Sequence, residues 1–174
     1  EDDYGLSVLN DCKYGCDIHH GMIGMTMLKS AVYPNPRADK EHHTFTWSLC
    51  PHTGRWQEAG TVDKAYLLNN PYRIMIKNND GGTLPAASSF VSVDAPNVVI
   101  ETVKKAEDGN QTVVRLYECW NRRSTVKVTF KDMLRAVTET NLLEEEVQQL
   151  QVEANQITFE IKPYEIKTFM VELQ

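Results

Sequence analysis

The sequence lacks a long apolar run. No stretch approaches the roughly 18 consecutive apolar residues that a membrane-spanning helix needs. The opening residues, EDDY, have neither the basic start nor the apolar segment of a signal peptide. An initiating Met is also missing, although a strand-like pattern begins within about five residues of the first. We therefore expect the chain to be an excised segment of a longer protein.

Clustered positive charge is also missing. The 18 Lys and Arg residues are scattered through the chain, and the formal net charge is -6. Nucleic acids and anionic membranes attract basic stripes, so we expect neither as a partner. The remaining composition, 41% apolar and 24% charged, is that of an ordinary globular protein, and 174 residues suffice for one domain or two small ones.

Cysteine is too sparse and too irregularly spaced for a disulfide framework. The four cysteines are Cys12, Cys16, Cys50 and Cys119. In a chain of this size the pattern favours reduced thiols, and with the missing signal peptide it indicates a cytoplasmic protein.

A metal site is the alternative interpretation of the thiols and imidazoles near the N-terminus. The candidate ligands are Cys12, Cys16, His19, His20, Cys50 and His52. Thiolates and imidazoles are the ligands that zinc prefers, but this spacing matches no standard zinc signature. Neighbouring side chains of a strand also point to opposite faces. We expect no metal in this chain.

Strict alternation of apolar and polar residues is what the sequence has in abundance, and it predicts strands with one face on a core. The clearest strands cover 44–49, 125–130, 157–161 and 169–173. Weaker candidates cover 4–9, 22–28, 72–76, 90–93, 97–103 and 113–120, the last apolar on both faces and therefore central. Turn residues separate them, as at 80–82 and 108–110. The fold class is therefore all-β.

One short helix interrupts the strands. Apolar and small residues recur at three-and-four spacing, and Asn70 precedes Pro71, which disfavours helical geometry. The spacing is carried by Ala59, Val62, Ala65, Tyr66 and Asn69. It predicts a helix over 58–69. A second segment, 142–150, has helical spacing too, but strands flank it closely, and the two alternatives stay open.

A polar stretch rich in small residues and breakers, 78–89, is typical of a linker. It divides the chain into residues 1–77 and residues 90–174. The second part holds six or more short strands at roughly ten-residue spacing, which predicts a small antiparallel sandwich of immunoglobulin-like type.

Several motifs together resemble the C-terminal region of glycoside hydrolase family 38 α-mannosidases of the bacterial and cytosolic type. They occur in the family's order and cover nearly the whole chain. They include LNDCKYG at 9–15, FTWSL at 45–49, LNNP at 68–71, VRLYECWN at 114–121, TNLLEE at 140–145 and KPYEIKTF at 162–169.

The resemblance implies a fold for each part of the chain and places catalysis in a different domain. Residues 1–77 would be the end of a large β-sandwich region, residues 90–174 a small terminal sandwich, and 142–150 a turn and a strand. The family hydrolyses terminal α-D-mannose with retention, using an Asp nucleophile, a second carboxylate and zinc. Those groups belong to an upstream catalytic domain, so the resemblance implies no catalytic residue and no metal ligand here. We expect the chain to be inactive alone and to support that domain.

The loop after the first strand is the candidate substrate-binding site. In the family, loops of this region help to wall the cleft that binds the α-mannoside. The candidate residues are Asn10, Asp11, Lys13, Tyr14 and Lys29. Amide, carboxylate, phenol and ammonium groups suit sugar hydroxyls, whereas Asn-Asp and Tyr-Gly pairs are also ordinary turn residues.

Tryptophan rings can stack on the apolar face of a sugar, which makes the three tryptophans further candidates. Trp47 and Trp120 belong to alternating or apolar runs and are expected in a core, whereas Trp56 is expected to be exposed. The acidic run 144–146 is expected to be a solvated surface. Two further expectations are self-association through exposed sheet edges and, as the alternative function, a stand-alone carbohydrate-binding or adhesion module.

Overall fold

The computed structural model describes residues 3–76 and 81–174. The chain divides into two compact units, Glu1–Asn78 and Asn79–Gln174. The division falls at the start of the predicted linker, and residues 81–89 have no helix or strand. The bounds 1–77, 78–89 and 90–174 stay predictions, and the predicted turn at 80–82 lies partly outside the described residues.

Within residues 3–76, the described part of the first unit, there are four strands and one helix. These are β1 (Tyr4–Asn10), β2 (Cys16–His19), β3 (Met22–Met25), β4 (Trp47–Thr53) and α1 (Thr61–Asn69). β1 pairs antiparallel with β4, and β2 pairs antiparallel with β3. The turn between β2 and β3 contains His20 and Gly21, both at positive φ (47° and 76°). Two successive residues at positive φ match the twist of a hairpin.

The helix begins later than predicted. It starts at Thr61 and not at 58, because Gly60 has a left-handed backbone conformation (φ 64°, ψ 38°) that a right-handed helix does not contain. Residues 56–60 form turns instead. The predicted end at Asn69 is correct, and the N–H of Asn70 still reaches the carbonyl of Tyr66 at 2.7 Å.

One strand prediction in this unit is wrong, and another is shifted along the chain. Residues 72–76 form no strand, and Ile74 and Ile76 are 87% and 98% exposed. The strand predicted at 44–49 instead occupies Trp47–Thr53. Trp47, expected in a core, is 50% exposed. Alternation identifies which side chains share a face of a strand, but it does not show that another layer covers that face.

The second unit is an antiparallel β-sandwich, as predicted. Its strands are β5 (Val91–Val93), β6 (Val98–Lys105), β7 (Thr112–Glu118), β8 (Ser124–Phe130), β9 (Leu134–Thr140), β10 (Glu146–Gln149), β11 (Val152–Glu153), β12 (Gln156–Ile161) and β13 (Ile166–Leu173). One sheet has the order β10-β9-β13-β7-β6 and the other β11-β12-β8-β5. β7 has a neighbouring strand on each side, which confirms the prediction that the strand in 113–120 lies inside a sheet.

Alternating apolar side chains from both sheets form the core. Leu116 and Phe169 come from the five-stranded sheet, and Val126 and Phe159 come from the four-stranded sheet. The rings of Phe159 and Phe169 lie 4.7 Å apart between centroids. Since burial of such side chains removes apolar area from water, this core is the main stabilising feature of the unit.

The ambiguous segment 142–150 is a turn followed by β10, as the family resemblance implied, and the helical alternative is wrong. The Oδ1 atom of Asn141 accepts hydrogen bonds from the N–H groups of Leu143 (2.9 Å) and Glu145 (3.1 Å). Glu144 has a φ of 66°. A side chain that bonds its own following backbone competes with a helix, so the local turn overrides the apolar spacing.

Candidate functional site

The loop predicted to bind substrate leaves the end of β1 and is held by its own polar side chains. The Oδ1 atom of Asn10 accepts the N–H of Lys13 at 2.8 Å. Both carboxylate oxygens of Asp11 lie 3.0 Å from the backbone nitrogen of Thr46, and the N–H of Asp11 donates to the Thr46 carbonyl at 3.2 Å. Asp11 therefore anchors the loop to the residue just before β4.

These bonds keep the Asp11 carboxylate charged. The backbone N–H of Thr46 and then the thiol of Cys12 lower the pKa of Asp11 below its ordinary value. The hydrogen bond between the Cys12 thiol and the Asp11 carboxylate also raises the pKa of the thiol, because the thiol donates its proton to that bond. Asp11 is thus a hydrogen-bond acceptor at neutral pH, and Cys12 is a protonated thiol.

Lys29, the remaining predicted residue, lies in a second loop. The carboxylate of Asp39 accepts the N–H groups of Lys29 (3.3 Å) and Ser30 (3.0 Å), and these bonds lower the pKa of Asp39. The charges of His43 and Lys13 lower it further. We name the five residues predicted to bind substrate the polar loop cluster: Asn10, Asp11, Lys13, Tyr14 and Lys29.

The members of the polar loop cluster differ in what they can offer a ligand. The side chains of Asn10 and Asp11 accept backbone hydrogen bonds, as ordinary turn residues do. Tyr14 is 80% exposed, and the Lys13 ammonium lies 5.4 Å from the centroid of the Phe45 ring. A phenol and ammonium donors can hydrogen-bond to sugar hydroxyls, and a ring face can pack on the apolar face of a sugar. The binding role itself stays a prediction.

Two of the suggested thiol and imidazole ligands, His52 and Cys50, make other contacts. The Nε2 atom of His52 lies 3.1 Å from Ser7 Oγ, and its Nδ1 atom lies 3.1 Å from the Gly54 carbonyl oxygen. Cys50 Sγ lies 3.7 Å from Ser48 Oγ. Within residues 3–76 and 81–174, no three His, Cys, Asp or Glu side chains come together in a way that could hold a metal ion. Over the same ranges, no helix is long and apolar enough to cross a membrane.

The exposed ring predicted at Trp56 is found at the surface. Trp56 is 38% exposed. It lines a pocket of about 390 Å³ together with Tyr4, His52 and Gln57. Trp120, expected in a core, is only half-buried and is not part of the sandwich core.

Sequence reasoning missed two polar arrangements in the second unit. The acidic run 144–146 is only partly solvated, because Glu144 pairs with Lys104 (2.7 Å) and its side chain is 9% exposed. Its carboxylate also accepts the N–H of Glu107 at 2.8 Å. The other arrangement is a buried pair, Asn97 and Glu118, in which the amide donates to the carboxylate at 2.9 Å. Neither pair is marked by a motif, because each joins residues distant in sequence.

Comparison with known proteins assigns most of the chain to two related domains. Residues 97–169 match the glycosyl hydrolases family 38 C-terminal beta sandwich domain, and residues 1–37 match the glycosyl hydrolases family 38 C-terminal domain. Alpha-mannosidase G of Dictyostelium discoideum is 36% identical over an alignment of 173 residues that covers 97% of this chain and 16% of that protein. Alpha-mannosidase 2C1 of Mus musculus is 32% identical over 186 residues, with 100% of this chain and 17% of that protein covered.

A solved structure shows the same fold. The crystal structure of an alpha-mannosidase from Enterococcus faecalis V583 superposes with a TM-score of 0.75 and 20% sequence identity. The match covers 99% of this chain and 20% of that one. The chain thus spans about a sixth of the length of the curated relatives above, at 16% and 17%.

Proposed function

Because the chain belongs to the C-terminal region of glycosyl hydrolase family 38, we propose that it is the non-catalytic C-terminal part of an α-mannosidase. In this parent enzyme it supports a catalytic domain that hydrolyses terminal α-D-mannose residues. The observation that carries the proposal is the match to α-mannosidase G along 97% of this chain and only 16% of that protein. Such a match fits a terminal part of a much longer enzyme.

We place the chemistry of the parent enzyme in the preceding domain. Retaining hydrolysis needs two carboxyl groups roughly 5 to 5.5 Å apart, one of them a general acid with a raised pKa. The carboxyl groups with displaced pKa values in the described residues are Asp11, Asp39, Glu118, Glu139 and Glu144, and all five are lowered. They suit hydrogen-bond acceptance and ion pairing. We place the zinc of the parent enzyme in the same preceding domain, as the family resemblance implies.

The polar loop cluster forms part of the wall of the α-mannoside cleft in this proposal. Tyr14 is its exposed ring, and Lys13 and Lys29 supply charged donors. Asn10 and Asp11 act by positioning, since their side chains hold the loop backbone. We further place the parent enzyme in the cytoplasm, where the four cysteines, all present as thiols, stay reduced.

Removal of this region from the parent enzyme tests the supporting role. We expect the truncated enzyme to lose α-mannosidase activity and to unfold at a lower temperature, and we expect addition of the 174-residue chain to restore both. A truncated enzyme with unchanged kcat/KM and an unchanged melting temperature would show that the region supports nothing.

A stand-alone carbohydrate-binding module is the second candidate, favoured by the exposed rings of Tyr14 and Trp56. Titration of the isolated chain with mannose and short α-mannosides, followed by NMR, separates the two. The supporting role predicts no saturable binding up to millimolar sugar. Saturable shifts at micromolar to low-millimolar sugar would favour the module.

A further inference from the structure

The pocket beside Trp56 lies where the turn between β4 and α1 meets the start of β1. Its volume is about 390 Å³, near the lower end of the roughly 300–1,000 Å³ that small-molecule sites occupy. We name it the turn pocket and describe it by five of its lining residues: Tyr4, Ser7, His52, Trp56 and Gln57. None of its lining residues belongs to the polar loop cluster, so the two are separate candidate sites.

A series of hydrogen bonds fixes one wall of the turn pocket. The carbonyl of Gly54 can only accept, so the Nδ1 atom of His52, 3.1 Å away, carries the proton. In the neutral ring the Nε2 atom then accepts from the Ser7 hydroxyl at 3.1 Å. The Ser7 oxygen lies 2.8 Å from the hydroxyl of Thr61, which donates to it. Both nitrogens of His52 are therefore engaged, and its ring forms a fixed surface.

Gly5 lets this ring lie against the backbone of β1. The register places Gly5 directly opposite His52. A Cβ atom on Gly5 would lie 2.6 Å from the Cε1 atom of His52, which is closer than two such atoms can approach. The wall of the turn pocket is thus formed before any ligand arrives. A site of this kind loses less conformational freedom on binding than a site that must first be assembled.

The other side of the turn pocket offers ring faces and an amide. Trp56 and Tyr4 are 38% and 61% exposed. The carbonyl of Trp56 accepts the N–H of Thr61 at 3.1 Å, which holds the turn against the start of α1. The Oε1 atom of Gln57 is buried without a hydrogen-bond partner among the described residues. Because the last torsion of a glutamine side chain is broad, a small rotation can present this amide to a hydroxyl in the pocket.

We propose that the turn pocket is an ancillary site for one mannose ring of the parent enzyme's substrate that is not itself hydrolysed. The apolar face of the sugar packs on the ring of Trp56, and its hydroxyls bond to the amide of Gln57 and the phenol of Tyr4. Among the described residues that line the pocket, none carries a carboxylate, so a neutral ring suits it better than a cation. The identity of the sugar rests on the proposed function.

The affinity of such a site is low. One half-exposed ring and a few hydrogen bonds correspond to a Kd of roughly 30 mM for a single sugar. This value lies above the micromolar to low-millimolar range that would mark a stand-alone module. It suffices in the parent enzyme, because a branched glycan that is already held elsewhere presents its other rings at a high effective concentration.

Titration of the 174-residue chain with methyl α-D-mannoside to about 200 mM, followed by NMR of the backbone and indole N–H signals, tests the proposal. Trp56→Ala removes the ring, and Trp56→Phe keeps a smaller ring. Trp47→Ala is the matched control, because Trp47 is 50% exposed in the same unit and does not line the turn pocket. Glycerol at the same concentration is the control for non-specific shifts, and circular dichroism checks that each variant is folded.

We expect saturable shifts at the Trp56 indole and at Gln57 in the wild type and in Trp47→Ala. Trp56→Ala should weaken binding at least about fivefold, and Trp56→Phe should weaken it about twofold. No saturation in the wild type, equal binding by Trp56→Ala, or equal shifts with glycerol would overturn the proposal. Binding that is lost in Tyr14→Ala and kept in Trp56→Ala would also overturn it, since the sugar would then lie at the polar loop cluster.

The outcome of this titration is separate from that of the proposed function. The supporting role is measured by mannose release from the parent enzyme, and the turn pocket is measured by binding to this chain alone. Absent binding together with restored α-mannosidase activity would remove the turn pocket and leave the supporting role in place. Binding at Trp56 without any restored activity would support the turn pocket as a sugar site and contradict the proposed function.

Discussion

The side-chain amide of Asn97 donates a hydrogen bond of 2.9 Å to the carboxylate of Glu118, and the two residues are 2% and 1% exposed. Asn97 precedes β6 and Glu118 ends β7, so the bond joins two neighbouring strands at one end of the five-stranded sheet. The same carboxylate accepts the N–H groups of Trp120 (2.7 Å) and Tyr164 (2.9 Å). A buried charge of this kind is tolerated because its oxygens are fully engaged.

Substitution of Glu118 should destabilise the second unit more than its place at a strand end suggests. Glu118→Gln turns one accepting oxygen into a donor that faces backbone N–H groups, and we expect a loss of about 2 kcal/mol in the free energy of unfolding. Glu118→Ala leaves several donors unpaired and should cost about 4 kcal/mol. Urea denaturation measures both. Glu153→Gln, an exposed control on β11, should change stability by less than about 0.5 kcal/mol. Equal effects of Glu118→Gln and the control would contradict the account.

The charge of Glu118 should also make stability depend on pH. Burial alone would raise the pKa of Glu118, but hydrogen bonds from the Tyr164 N–H, the Asn97 amide and the Trp120 N–H outweigh it, and the pKa lies below its ordinary value of 4.5. The unfolded chain therefore binds a proton more readily than the folded chain. The contribution of the charged Glu118 side chain to the free energy of unfolding is complete above pH 4.5, and it is lost as the pH falls through the lower pKa of the folded state. Urea midpoints measured from pH 7 to pH 3 should show the advantage of the wild type over Glu118→Gln shrinking below pH 4.5; a constant advantage would be inconsistent with the lowered pKa.

Phe169 should be a principal support of the sandwich core. Its side chain is fully buried in β13, and its ring lies 4.7 Å from that of Phe159 on the opposite sheet. We expect Phe169→Ala to lower the free energy of unfolding by about 4 kcal/mol, because it leaves a cavity. Met133→Ala, at a residue that is 48% exposed, is the matched control and should have little effect. A loss below about 1 kcal/mol for Phe169→Ala would show that the core relaxes around the gap.

Tyr14 should affect substrate binding in the parent enzyme, since it is the exposed ring of the polar loop cluster. We expect Tyr14→Ala to raise the KM for an α-mannoside roughly two- to tenfold, the range that a lost aromatic contact supplies. Tyr33→Ala is the control, because Tyr33 is 88% exposed in the same unit and is outside the cluster. An unchanged KM in Tyr14→Ala would leave the loop with only its structural role.

The sandwich was predictable from sequence because its strands alternate regularly. β8 and β12 show the pattern most clearly, with buried Val126, Val128, Ile157 and Phe159 separated by polar residues. β9 was missed, because buried Leu134 and Val137 are spaced by three residues and no strict alternation remains. β2 was missed for another reason: its four residues are all exposed, so burial leaves no pattern in them.

The candidate site was only partly predictable. The motif around Asn10 and Asp11 located a loop with suitable side chains, but the partner of Asp11 is Thr46, 35 positions away, and pattern reasoning does not identify such a pair. The same limit explains why the Lys104–Glu144 ion pair was expected to be a solvated surface. A local sequence pattern shows which polar side chains a segment carries. Contacts between residues distant in sequence decide which of those side chains remain free to bind a ligand.

An assay of α-mannoside hydrolysis tests the supporting, non-catalytic role most directly. It compares the purified 174-residue chain, the preceding portion of the parent enzyme, and the two together. The account predicts no release of mannose by the chain alone and full activity only when both parts are present. Release of mannose by the purified chain alone would contradict it.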